Sequence, residues 1–144
     1  MENNKRITEI MKRHHQKILQ TLTDFENELK SKNQEKIEVF FGIFKDNLEK
    51  HFMLEESVLF RFNEKINDKK LEISMALTRE HQTMLNMIKI MESDVKNGAV
   101  IDDISFRKMH LDHINVEDMV FYPELDLVLS EEEKDNVLKI IRAI

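Results

Sequence analysis

Four stretches of the chain space their apolar residues by steps of three and four, and each stripe breaks at one level for a histidine. That stepping keeps side chains on one face of an α-helix, so each stretch predicts a helix with one buried stripe. The first, over about residues 5–30, carries Ile7, Met11, Ile18, Leu22, Phe25 and Leu29. The second opens at Asn33 and runs through Ile37, Phe41, Phe44, Leu48, His51, Glu55, Val58 and Phe62. The third, over about 69–97, carries Ile73, Leu77, His81, Met84, Ile88, Met91 and Val95. The fourth follows Asp102 and Asp103 as caps, runs through Phe106, His110, His113, Glu117 and Val120, and is expected to end near Pro123, which has no N–H for the helical ladder.

The links are short: SKNQ near 31, NDK near 67 and NGAVIDD from 97, where Gly98 suits a helix C-terminus. Short links make neighbouring helices antiparallel, so the expected fold is all-α, an up-down-up-down four-helix bundle. Ser130 followed by Glu133 has the spacing of a capping box and predicts a short extra C-terminal helix over about 131–144, read as a lid or support. Only 2 Gly and 1 Pro punctuate the chain, which agrees with long helices, and 1–144 reads as a single domain with its bundle over about 5–123. With 0 Cys, disulfides and thiolate chemistry are excluded, and a cytoplasmic location is expected. No stretch approaches the ~18 apolar residues of a membrane span. The net charge of -6, with both signs interspersed, lacks the basic face that nucleic acid requires. Neither a membrane nor a nucleic acid is therefore an expected partner.

The histidines are the anomaly. An unpaired imidazole in a core costs about 1–3 kcal/mol, and a lone carboxylate more. Yet HFMLEESVLF at 51–60 and HINVEDMVFY at 113–122 are near copies, each placing a Glu one helical turn after its His. From His81 the apolar residues Met84, Leu85, Ile88, Met91 and Val95 follow at fixed offsets, and the same offsets from His15 give Ile18, Leu19, Leu22, Phe25 and Leu29. Counting from His14 puts Lys17 in the stripe, which favours His15.

The set is then His15, His51, Glu55, His81, His113 and Glu117. One core histidine alone is more often satisfied by packing than by a metal, and one His-x-x-x-Glu is as often a surface pair. Two such pairs plus two matched histidines point instead to metal. Imidazole suits Fe, Zn, Cu and Ni, and bridging carboxylates suit Fe or Mn. Two carboxylates do not neutralise two divalent ions, so a bridging oxide or hydroxide, or a further acid, is expected. Asp118 and Glu56 are the nearest acids, both pointing sideways, with Asp118 the alternative to Glu117. The 9 Met and 9 Phe read as core filler, and Tyr122 as core or rim packing, with a redox or hydrogen-bonding role as its alternative.

In HFMLEESVLF, REHQTML, HINVEDMVFYP and, more weakly, RHHQKIL, the sequence resembles the hemerythrin-like family, the His/His/Glu cation-binding domains, over about residues 5–125. The resemblance implies a non-haem di-iron site, two Fe ions with an oxo or hydroxo bridge. Glu55 and Glu117 would bridge the metals, with His15, His51, His81 and His113 as terminal ligands. Two positions depart from the oxygen-carrying hemerythrins: Leu85 stands where they place a second His, and Glu117 rather than Asp118 fits the broader His/His/Glu branch. His110 is an extra-ligand, outer hydrogen-bonding or proton-relay candidate. The expected function is binding or reaction with O2, NO or peroxide, in sensing, stress defence or iron handling, and more as a binding protein than as a dedicated enzyme. A homo-oligomer or a redox or signalling partner would carry any output. The competing expectation is a structural or interaction module whose bundle is stapled by zinc or another redox-inert metal.

Overall fold

The computed structural model describes residues 6–65 and 68–143. Its elements are α1 (Arg6–Leu29), α2 (Gln34–Leu54), a π-helical turn (Glu55–Leu59), a 3-10 segment (Phe60–Lys65), α3 (Asp68–Lys96), α4 (Asp103–Val116), a second π-helical turn (Glu117–Phe121), α5 (Tyr122–Val128) and α6 (Glu131–Arg142). Residues 66–67, in the link expected around NDK, and residue 144, at the expected end of the last helix, lie outside the described residues. The expected caps form. Asn33 accepts from the Lys36 amide, Asp102 accepts from the Ser105 amide, and Ser130 and Glu133 cap one another's backbone. Gly98 adopts φ +66°, the left-handed conformation that ends α3. No described helix is long and apolar enough to cross a membrane.

The core shows the antiparallel order directly. One apolar cluster holds Ile7, Ile10 and Met11 of α1, Leu77 of α3, Leu59 and Phe60 beyond α2, and Phe121 and Tyr122 beyond α4. The other holds Ile18 to Phe25 of α1, Phe41 to Leu48 of α2, Met84 to Val95 of α3, and Phe106. On α1 and α3 the first cluster precedes the histidine and the second follows it. On α2 and α4 the order is reversed, apart from Phe52. The bundle therefore runs up-down-up-down, with a polar layer between two apolar halves. α6 closes the first half with Val137, Leu138 and Ile141, which gives it the support role expected of it. Arg107 ties α4 to α1 through Glu26 and the Thr23 hydroxyl, and Lys45 ties α2 to α3 through Glu92 at 2.6 Å.

Two expectations fail at the π turns. α2 does not continue regularly to Phe62, and the fourth helix does not stop at Pro123, since α5 carries that proline in its first turn. The cause lies in the hydrogen bonding: the Phe60 amide donates to the Glu55 carbonyl and the Tyr122 amide to the Glu117 carbonyl, five residues back instead of four. Each turn thus holds one residue more than an α-helix would. Every later residue lags on the helical face, so the fully buried positions are Leu59 and Phe121, while Val58 and Val120 are only half-buried. Phe62, where the backbone kinks, is half-buried as well.

Asp126 on α5 was not read from the sequence as structural. Its carboxylate accepts from the Ile7 and Thr8 amides, each at 3.1 Å, and from the Thr8 hydroxyl at 2.7 Å. It caps the start of α1 from 118 residues away.

Candidate metal centre

All six expected side chains meet in the polar layer, and each is nearly or wholly excluded from solvent. They form two overlapping groups. His15, His51, Glu55 and Glu117 make one, and Glu55, His81, His113 and Glu117 the other; within each, one ligand atom per residue lies within 4.8 Å of the rest. The two glutamates belong to both. They stand at the first residue of each π turn, one helical turn after His51 and His113, so their carboxylates reach the bundle axis. Around them, Nε2 of His15 lies 3.2 Å from Oε1 of Glu117, and Nε2 of His81 lies 3.2 Å from Oε1 of Glu55. Nε2 of His51 is 3.4 Å from Oε1 of Glu55, and Nε2 of His113 is 3.2 Å from Oε2 of Glu117.

The second acid of each copied motif has its own task. Asp118 accepts from Nδ1 of His15 at 3.0 Å, and Glu56 faces Nδ1 of His81 at 3.8 Å. Each acid follows its glutamate by one residue and reaches across to an odd-numbered helix. Glu80, the residue before His81, lies 2.8 Å from Nδ1 of His113 and was missed in the sequence. An acid on Nδ1 fixes the ring so that Nε2 points inward. Two aromatic rings fix His81 further: Phe52 stacks on it at 3.9 Å and Phe60 at 5.5 Å between centroids. Tyr122 is buried, as expected of a packing residue, and its hydroxyl also donates to Glu55.

A cation fits what the protein leaves unpaired. Nε2 of His15 and of His51, Oε1 of Glu55 and both carboxylate oxygens of Glu117 are buried without a hydrogen-bond partner among the described residues. Most buried polar atoms are paired, and here the orphans converge on one space. Four imidazole nitrogens with two carboxylates form a mixed N and O donor set suited to transition metals. Without a cation, protons must supply the positive charge. Burial alone would lower the His113 imidazole, but the Glu117 carboxylate beside it pushes it up to about 9. Burial likewise works against His15, and the carboxylates of Asp118, Glu117 and Glu55 around it raise it well above its ordinary value. Burial would raise the Glu55 carboxyl, yet the charge of His51 and the polar groups of Glu117 and His15 beside it hold it well below the usual range. A cation entering here displaces protons.

The remaining candidates fall outside the two groups. His14 is half-buried beside His51, with its ring centroid 5.9 Å away, and belongs to neither group. His110 is buried against Phe106, belongs to neither group, and its Nδ1 lacks a partner among the described residues. Burial, then the charges of His15, His113 and His51, hold it well below its ordinary value, so it is neutral. Leu85 packs half-buried against the second apolar cluster.

No curated protein and no solved structure matches the chain. A family model does: the hemerythrin HHE cation-binding domain covers residues 6–125, from the first turn of α1 into α5 and so across every residue of the polar layer. With that match over most of its length and a buried His/Glu cluster able to hold metal, the chain belongs to the hemerythrin HHE cation-binding family.

Proposed function

We propose that this protein is a non-haem di-iron protein that binds or reacts with O2, NO or peroxide. The observation that carries the reading is the pair of overlapping donor groups: two positions, each with two imidazoles, share the carboxylates of Glu55 and Glu117. His15 and His51 would hold one iron, and His81 and His113 the other. Ferrous ions held this way supply open coordination positions for a small ligand. The chain's own residues do the rest. Asp118 and Glu80 orient imidazoles, Tyr122 holds one oxygen of Glu55, and Phe52 and Phe60 keep water from His81. With Leu85 in place of a further nitrogen donor, the centre is suited to sensing, scavenging or redox chemistry more than to reversible oxygen carriage.

Metal analysis of the purified protein should give two Fe per chain and near-ultraviolet charge-transfer bands. The anaerobic ferrous form should change its spectrum on exposure to O2, NO or peroxide. One zinc per chain, with no colour and no response, would replace this reading with that of a metal-stapled structural bundle.

Asp118→Ala separates orienting from ligating residues. It should weaken the cation beside His15 by about 10–100-fold in a chelator competition while two cations still bind at saturation. Losing a whole cation at saturation would make Asp118 a ligand.

A further inference from the structure

A cavity of about 750 Å³ opens between α1, α2 and the end of α6, and its walls are charged in the opposite sense to the rest of the chain. Lys and Arg number 22 against 28 Asp and Glu in the sequence. The cavity wall, by contrast, gathers Arg6, Arg13, Lys17, Lys50 and Arg142 against Glu9 as the lone acid among the described residues. Arg6 is shared with Asp135 at 3.3 Å, whereas Arg13, Lys17, Lys50 and Arg142 have no ion-pair partner among the described residues. Cations that repel one another in a concave space raise the local concentration of anions. The Asn47 side chain adds a neutral donor, and His14 and His51 also line the cavity, His51 being the one member of the polar layer that does.

We propose that this cavity is a binding site for a small organic anion carrying several phosphate or carboxylate groups. The volume lies within the roughly 300–1,000 Å³ typical of small-molecule sites. Guanidinium groups from α1 and α6 and ammonium groups from α1 and α2 line the same cavity, so an oxyanion there meets cations from three helices. A monoanion would leave most of the wall uncompensated. The occupant sits beside His51, a member of one donor group, so the metal-loaded chain is the form to titrate.

The test uses the full-length, metal-loaded chain and two weakly chelating probes, a sugar bisphosphate and tricarballylate, in calorimetric titrations. A single site is expected for at least one probe, with Kd of about 0.1 mM, and the probe that binds more tightly identifies phosphate or carboxylate as the preferred group. The double variant Arg13→Ala with Lys17→Ala should weaken binding by about tenfold or more. A control with the same charge change elsewhere, Lys36→Ala with Lys89→Ala, should change it less than about twofold. Circular dichroism verifies that both doubles stay helical. Absence of binding by either probe up to about 10 mM, or equal weakening in the two doubles, would overturn the proposal.

Discussion

Replacing Glu117 with leucine is expected to empty both cation positions, taking the bound metal from two ions per chain to none, because its carboxylate serves both donor groups. His51→Ala should leave about one ion, because that imidazole serves a single group. Elemental analysis at saturating metal distinguishes the two outcomes. Stability should fall much further with metal than without it. A ligand at a thousandfold excess over its Kd stabilises the folded state by about 4 kcal/mol per site, so loaded wild-type protein should melt well above loaded Glu117→Leu, by roughly 10 °C or more. With the cations removed, the gap should narrow. Glu117 is then the carboxylate partner of the raised His113 imidazole, and removing one partner of a buried pair destabilises by up to about 3–5 kcal/mol, less once the imidazole sheds its proton. An equal melting difference in loaded and metal-free protein would make Glu117 an ion-pair or packing residue, and the shared-ligand reading would fail.

The second large effect lies far from the centre. Asp126→Ala should cost about 2–4 kcal/mol, because it strips three donors, the Ile7 and Thr8 amides and the Thr8 hydroxyl, of their acceptor at a buried helix start. Denaturant unfolding measures it. Asp126→Asn keeps one acceptor oxygen and should recover about half of the loss. Since Asp126 touches none of the six donors, both variants should retain full metal content. A change under about 0.5 kcal/mol would mean that water replaces the carboxylate without cost.

The bundle and its polar layer were legible in the sequence because both rest on periodicity. A polar side chain in an apolar stripe must find a partner; matching offsets from His15 and His81 align the first and third helices, and the repeated His-x-x-x-Glu aligns the second and fourth. The same reasoning failed where the period itself changes. Val58, Phe62 and Val120 were placed on the buried face by steps of three and four, but an extra residue in each π turn brings Leu59 and Phe121 there instead. No residue type announces such a turn; only the repeat of His-x-x-x-Glu-acid marks where both occur. Asp126 and Glu80 were missed for another reason. Their partners are distant in sequence or on another helix, and an acid on a helix surface usually means no more than solvation.

The two wide turns also bear on how readily such a centre is lost. Deleting one residue, Ser57 or Met119, would restore a regular helical ladder and leave helix content, composition and hydropathy almost untouched. Everything downstream would swing by about a quarter turn or more, carrying Phe60 away from His81 in one case and Tyr122 away from Glu55 in the other. Kin that differ by so small a gap could share a silhouette and yet lack the same chemistry, so an inventory of relatives should count the spacing behind each glutamate before crediting them with it.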